Sequence, residues 1–212
     1  MRASHKIVLA STNHDKLSEF RSLLKPYGDL ELIAADEILA NADKLDFVET
    51  HDTYLENAVA KARVANHGAH YPCFADDSGL EVQALEGRPG VRTRRYAIPK
   101  NGQSQGDANI EKLLLELKGV PADKRAARFV TSLAFMVEGI LVTSTGTLEG
   151  TIAEAPRGLN GFGYDPIFVP KGSNRSLAEM SDDEKNALSH RARALKELFA
   201  QIETKGITFV KP

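Results

Sequence analysis

An apolar run, Lys6 to Ala10 (KIVLA), passes through a polar turn straight into a segment where Leu17, Phe20, Leu23 and Leu24 recur at helical spacing. Strand, turn and helix in such close succession confine the chain to folds in which helices pack on a sheet. The alternation continues. Leu30 to Ala34 (LELIA) reads as a second strand. Thr53 to His67 is Ala-rich, with Leu55, Val59, Ala62 and Ala65 on one side and Gly68 as a C-terminal stop, which predicts a helix. Cys73-Phe74-Ala75, then Asp76-Asp77-Ser78-Gly79, then Leu80 to Leu85 read as a strand broken by a polar turn. Asn101 to Asp107 is polar and Gly-containing, a surface loop before a helix over Ala108 to Leu117. Arg128 to Val137 and Ile140 to Leu148 are β-rich, with Glu138-Gly139 between them as a hairpin turn. Leu188, Ala192, Leu195, Leu198, Phe199 and Ile202 mark an amphipathic helix that starts near Asp182. No repeat, low-complexity tract or long linker divides the chain, so residues 1–212 are expected to form one domain.

Composition narrows the function. With 42% hydrophobic and 26% charged residues, the chain is too apolar for a disordered protein. A domain of this size buries about 70% of the surface its unfolded form exposes. Lys and Arg number 27 against 29 Asp and Glu, a net charge of −2, so no global basic field holds the protein on nucleic acid or an anionic membrane. A small anion met by a local cluster fits better than a polymer. A single cysteine, Cys73, in an apolar setting excludes an internal disulfide framework and multi-cysteine zinc sites, and reads as a buried small hydrophobe in a reducing compartment. Met1 to Lys6 has no apolar signal core behind it, and no run approaches a membrane span. A cytoplasmic protein is expected.

Four motifs carry candidate chemistry. Ser11-Thr12-Asn13-His14-Asp15-Lys16 lies between the first strand and the first helix, where free backbone N–H groups and the helix dipole favour an anion that Lys16 could also reach. The plain structural alternative is a helix cap built from Thr12 and Asp15. Asp76-Asp77 ends an apolar strand, and adjacent strand residues point to opposite faces, so one carboxylate can face a cleft while the other caps the turn; the plain alternative is an Asp-Asp-Ser-Gly turn whose side chains bond its own backbone. A buried carboxylate is costly unless it is paired or binds a metal. Glu49 and Glu56 are further acids upstream. Thr53-x-x-Glu56 matches a capping box, as does Ser181-x-x-Glu184, while Lys61 could face either a cleft or solvent. The Gly-rich stretch Gly158 to Pro166 holds Phe162, Gly163, Tyr164 and Asp165, residues suited to a planar ligand: glycines permit close approach, an aromatic ring stacks and a carboxylate accepts ring N–H groups. Lys185, His190 and Arg191 follow near the last helix. Their spacing puts them on partly different faces unless the start of that helix is irregular.

Together these motifs resemble the inosine triphosphate pyrophosphatase family. The matching residues are Ser11 to Lys16, Glu56-Asn57-Ala58-x-x-Lys61-Ala62, Ala75 to Leu80, Pro89-Gly90-Val91 with Arg95-Tyr96, Gly161 to Pro166, and Ala178-Glu179-Met180 through Glu184-Lys185-Asn186 to Ser189-His190-Arg191. They run through nearly the whole chain in the family's order. The resemblance implies an α/β protein with an elongated mixed central sheet flanked by helices, two lobes around a nucleotide-binding cleft, and a homodimer. It implies magnesium-dependent hydrolysis of non-standard purine nucleoside triphosphates (ITP, dITP, XTP) to a monophosphate and pyrophosphate. By the same resemblance Asp77 is the general base or a metal-bound carboxylate, an upstream acid, Glu49 in preference to Glu56, helps hold the metal, and Ser78 touches the substrate. Ser11, Thr12, Asn13, His14, Asp15, Lys16, Lys61 and Arg95 would contact phosphates. Phe162, Gly163, Tyr164 and Asp165, with Lys185, His190 and Arg191, would surround the base.

The chemistry agrees with this. Hydrolysis between the α and β phosphates requires charge neutralisation and an oriented water more than covalent help, and magnesium needs only one or two carboxylates. A site that donates to a 6-oxo group would reject an adenine amino group. Two departures stand out: His14-Asp15 replaces small residues in the first turn, and Arg92-Thr93-Arg94-Arg95 replaces an aromatic and small residues. The rival readings are a Maf-like pyrophosphatase acting on modified pyrimidine nucleotides and a nucleotide-binding module without catalysis. The intact Asp76-Asp77 pair weighs against the second.

Overall fold

The computed structural model describes residues 5–39, 42, 45 and 49–207. The start of the Met1 to Lys6 segment lies outside them. The described chain forms strands β1 (His5–Leu9), β2 (Leu30–Ala34), β3 (Cys73–Val82), β4 (Pro89–Gly90), β5 (Ala126–Val137), β6 (Ile140–Ile152) and β7 (Phe168–Pro170). The helices are α1 (His14–Leu24), α2 (Tyr54–Ala69), α3 (Gln105–Glu116), α4 (Asp182–Leu188) and α5 (His190–Thr204). Strand order is β2-β1-β3-β5-β6-β7, with β4 on β3. The sheet is mixed: β1 runs parallel to β2 and β3, whereas β3–β4 and β6–β7 are antiparallel.

The chain divides into two compact units, the first made of Met1–Asp77, Thr131–Gly146 and Arg191–Pro212, the second of Ser78–Val130 and Thr147–His190. In the first unit, strand alternation sorts side chains by size. Ile7, Leu9, Phe74, Leu133 and Phe135 join Leu17, Phe20 and Leu24 of α1 and Leu195 and Leu198 of α5 in one cluster. Val8, Ala10, Cys73, Ala75 and Ala134 join Ala58, Ala62, Ala65 and Ala69 of α2 in another. The Ala-rich helix thus lies against the small-residue face, and the Leu- and Phe-bearing helices against the large-residue face. Phe20, fully buried, meets Phe74 edge-on at 5.0 Å, and burial of such a side chain contributes about 1.5–3 kcal/mol. In the second unit, Ile110, Leu113 and Leu117 from the α3 region pack on Leu80, Val82, Phe129, Leu148 and Phe168.

Several elements depart from their sequence-based outlines. No turn breaks β3: it runs unbroken through Asp76-Asp77-Ser78-Gly79, held by β1 at Cys73 and Phe74 and by β4 at Leu80 and Glu81, because sheet pairing at both ends overrides local turn chemistry. It stops at Val82, after which Gln83–Leu85 form a 3-10 turn. Gly68 does not stop α2, which continues to Ala69 before His70 turns left-handed at φ 54°. α3 begins at Gln105 rather than Ala108, because Ser104 caps it through the amide of Asp107. β6 extends to Ile152, four residues past the expected end at Leu148, because β7 pairs with Gly150, Thr151 and Ile152. The Glu138-Gly139 hairpin turn is as expected, both residues having positive φ (48° and 81°), the geometry that matches strand twist in a two-residue turn. The single C-terminal helix is two, because Ser189 is extended (φ −64°, ψ 150°) and separates α4 from α5.

Candidate functional site

In the first unit the alternation along β3 decides where the paired acids go. Asp76 shares the parity of Phe74 and faces α1 and α5. Its Oδ2 lies 2.8 Å from Lys16 Nζ and 3.6 Å from Arg191 Nε. Asp77 shares the parity of Ala75 and faces α2. Its Oδ2 accepts from Asn57 Nδ2 at 3.0 Å, and its Oδ1 lies 3.9 Å from Lys61 Nζ. The buried Lys61 ammonium donates to Glu49 Oε1 (2.6 Å) and to the Asp76 carbonyl (2.5 Å). Arg191 Nη1 donates to Glu19 Oε2 at 3.0 Å, both side chains buried.

The two aspartates therefore titrate in opposite directions. Burial alone would raise Asp76, but Lys16, Arg191 and Lys61 outweigh it and hold the carboxyl well below the usual range. Burial dominates for Asp77 and is reinforced by Glu49 against the pull of Lys61, so its pKa is pushed up to about 6. Burial depresses Lys16 despite Asp76, whereas Lys61, which burial would also depress, is raised by Asp76, Glu49 and Asp77. One carboxylate is a permanent anion that organises cations; its neighbour is poised to exchange a proton near neutral pH.

The turn before α1 is built differently from its expected cap. Asn13, not Thr12 with Asp15, is the N-cap: its Oδ1 accepts from the amides of Asp15 (2.9 Å) and Lys16 (3.2 Å), and Ser11 Oγ accepts from the Asn13 amide at 3.2 Å. Ser11 and Thr12 are half-buried, whereas His14 and Asp15 are exposed and His14 faces Asp36 at 3.8 Å. Of the upstream acids, Glu49 joins Lys61 and Glu56 stays at the start of α2, where its Oε2 accepts from Thr53 Oγ1 at 2.7 Å. Ser181 and Glu184 form the expected capping box.

The second unit holds the Gly-rich loop. Asp165 Oδ2 accepts from the Phe162 amide (3.0 Å) and from Lys185 Nζ (3.2 Å), and that ammonium lies 5.4 Å from the centre of the Phe162 ring. Gly163 is exposed at the apex. Tyr164 sinks into the apolar cluster, 3% exposed, and its hydroxyl donates to the Thr93 carbonyl at 3.1 Å. His190 is buried with its ring parallel to Phe129 at 5.0 Å. Ser78 lies on β3, half-buried. The irregularity at Ser189 separates the three basic residues: Lys185 joins Asp165, His190 joins Phe129, and Arg191 belongs to the first unit with Lys16 and Asp76. Arg94 and Arg95 are exposed on a 3-10 turn. Burial pushes the Cys73 thiol up to about 12, so it is an inert core residue, as expected.

The Ham1 family model matches residues 7–201. The chain belongs to the Ham1 family. Relatives of this family member include the dITP/XTP pyrophosphatase of Geobacillus kaustophilus, 45% identical over 200 residues (93% of this chain, 94% of the relative). That of Bacillus subtilis is 43% identical over 198 residues (92% and 96%). Among solved structures, the Staphylococcus aureus Ham1 protein superposes with a TM-score of 0.78 at 37% identity (94% of this chain, 99% of that one). A HAM1 protein from Coxiella burnetii gives 0.76 at 38% (95% and 99%). The mixed sheet flanked by helices is thus the fold of this Ham1 protein, as its sequence implied.

Sequence reasoning passed over Glu19 and Phe129, and quoted Asn57 within a motif without giving it a role. Glu19 lies one turn beyond Lys16 on α1, and Asn57 one turn before Lys61 on α2, so helical spacing from the two lysines was the available signal. Phe129 gave none, because its pairing with His190 is long-range. For a metal, Glu49 and Asp77 are the candidate oxygen donors. Both approach Lys61, and Glu49 is close enough to raise Asp77. Among the described residues no group of three or more His, Cys, Asp or Glu is arranged around a metal. A two-carboxylate set suits a hard ion that keeps most of its waters and completes its shell with substrate oxygens.

Proposed function

We propose that this protein hydrolyses non-standard purine nucleoside triphosphates, ITP, dITP and XTP, to nucleoside monophosphate and pyrophosphate. The observation that carries the reading is the division of labour between Asp76 and Asp77: one acid holds Lys16 and Arg191, the other is poised near neutrality beside Lys61 and Glu49. Membership of the Ham1 family and the printed activity of its dITP/XTP pyrophosphatase relatives support it.

In this reading Lys16, Arg191 and Lys61, with the turn Ser11 to Lys16, take the polyphosphate. Arg191 moves from the base to the phosphates because its partners are Asp76 and Glu19. Asp77 orients and deprotonates the water whose oxygen bonds to phosphorus as the bridging P–O bond breaks and pyrophosphate leaves. Burial raises its pKa in the metal-free protein, and the ionised carboxylate that accepts the water's proton would be favoured by magnesium bound beside it. Glu49 and Asp77 would hold magnesium, which supplies charge neutralisation on the phosphate oxygens. Phe162 and Gly163 take the base, with Asp165, Lys185 and His190 as its polar surroundings and Tyr164 as a buried support. Ser78 contacts the substrate beside Asp77.

The proposal extends to residues 1–212 acting as one domain of two lobes, to a homodimer, and to a cytoplasmic setting without a nucleic acid polymer or membrane as partner. No helix among the described residues is long and apolar enough to cross a membrane. The deciding experiment is pyrophosphate release with magnesium from a nucleotide panel. ITP, dITP and XTP should be turned over much faster than ATP, GTP or modified pyrimidine triphosphates. Equal rates refute the specificity, preference for the pyrimidines supports the Maf-like reading, and binding without turnover supports the non-catalytic one. Light scattering tests the dimer.

A further inference from the structure

The second unit contains a buried polar hub that the proposed chemistry does not use. Asn109 on α3, 5% exposed, has all four of its amide bonding positions filled. Its Oδ1 accepts from the Ala97 amide (2.9 Å) and Gln105 Nε2 (3.0 Å); its Nδ2 donates to the carbonyls of Thr93 (3.2 Å) and Arg94 (3.1 Å). Thr93 is equally committed. Its carbonyl accepts from both Asn109 and the Tyr164 hydroxyl, while its Oγ1 accepts from the Leu80 amide (2.8 Å) and donates to the Gly90 carbonyl (2.7 Å).

One residue pair thereby fixes four segments. Leu80 lies on β3 just past Ser78, Gly90 lies on β4, Thr93–Arg95 is the arginine-bearing turn, and Tyr164 belongs to the loop that places Phe162 and Asp165. A fully satisfied network centred on a buried amide holds its members in one arrangement, whereas a Gly-rich loop left to itself samples many. A recognition site tolerates only about 0.5 Å of play.

We propose that Thr93 and Asn109 are positioning residues for nucleobase recognition: they touch no substrate, but through Tyr164 and the Leu80 amide they set the Phe162–Asp165 loop against the strand that carries Ser78. This rests on the reading of that loop as the base site. It predicts that breaking the hub weakens binding and base preference more than it slows chemistry, because Lys16, Lys61, Asp77 and Arg191, proposed to act at the phosphates, lie in the other unit.

The test measures steady-state pyrophosphate release from ITP and ATP, with thermal melts alongside, for wild type, Thr93→Val and Thr93→Ser. Thr93→Val keeps the shape and removes the hydroxyl. Of the two hydrogen bonds lost, to the Leu80 amide and the Gly90 carbonyl, the equivalent of one felt in binding would raise the KM for ITP about fivefold to tenfold, with kcat held within about threefold. The preference for ITP over ATP should narrow by a similar factor, and Thr93→Ser should restore both. A lower melting temperature with KM and preference unchanged overturns the proposal and leaves the hub a purely structural element. Should Thr93→Val not fold, the near-isosteric Asn109→Asp asks the same question by turning two donated bonds into repulsion, and unchanged KM and preference there overturn it too. A wild type that handles ITP and ATP equally refutes the base-site reading instead, whatever the variants do.

Discussion

The two units handle charge in contrasting ways. The first buries Asp76, Asp77, Lys61, Arg191 and Glu19 together, so each ion is stabilised by others brought from α1, α2 and α5. The second buries little charge around its loop. One lysine and one aspartate meet there, and the rest of the geometry comes from backbone, aromatic packing and amide bonds. The first arrangement suits a ligand dense in negative charge, because its acids hold several cations at one place in a low-dielectric setting, where charge interactions are strong. The second suits a flat, neutral ligand recognised by its edge and face. The first should therefore fail electrostatically and the second sterically.

The sharpest break of the first unit is Asp77→Asn, which keeps the shape and the position beside Asn57 but removes the base. Turnover should fall by about 10²–10⁴-fold while nucleotide binding, measured by calorimetry, stays largely intact. Full activity would remove Asp77 from the mechanism. Asp76→Ala should act on the fold instead. It strips Lys16 and Arg191 of a fully buried partner, and breaking a buried ion pair from one side costs about 3–5 kcal/mol. Urea denaturation reads this directly, and a loss under about 1 kcal/mol would mean that the cluster behaves like an exposed ion pair.

The opposite shifts of the two aspartates give a third test, in metal-free protein with a chelator present. Asp77 keeps its proton to about pH 6 when folded, against an ordinary 3.8. Between those values the folded state binds a proton the unfolded chain has released, so Asp77 makes stability fall as pH rises through that window, by about 2–3 kcal/mol in all. Asp76, held low by its cations, does the reverse: its stabilisation is present above the ordinary carboxylate range and is lost on acidification. Urea midpoints of wild type and Asp77→Asn between pH 4 and 7 should therefore converge toward the acid end and separate as pH rises, with the variant the more stable. Parallel profiles would refute the raised pKa.

Much of this was legible in advance because it is local. β2 fell on its expected residues, the Glu138-Gly139 hairpin followed from turn chemistry, and the Ala-rich helix declared its packing face. The opposite orientation of Asp76 and Asp77 followed from strand alternation alone. What the sequence hid was decided at long range. Pairing to β1 and β4 kept β3 straight through residues that favour turns on their own, and the extended Ser189 divided a pattern that reads as one helix. Arg191 ends beside Asp76 and Glu19 rather than with Lys185, since partners so distant in the chain leave no spacing signal. Tyr164 looked like a ring offered to a ligand and proved to be a core residue whose hydroxyl is taken by Thr93.

The smallest predicted change tests the steric half of the contrast. Gly161 and Gly163 both lie in the left-handed region, at φ 75° and 61°, so an alanine at either position carries about 1–2 kcal/mol of backbone strain. Their surroundings differ. A Cβ at Gly163 meets nothing within 4 Å, whereas one at Gly161 would overlap the Asp165 carboxylate that holds the Phe162 amide and Lys185. Gly161→Ala should therefore lose more stability in urea than Gly163→Ala, since it also displaces the buried Asp165 carboxylate from Lys185, and it should raise the KM for ITP further than a Cβ at Gly163 beside the base does, by about tenfold if one charge-assisted hydrogen bond is lost. Equal KM values for the two variants would mean that the loop serves the ligand through its backbone path alone, and that the placement of Asp165 is incidental to it.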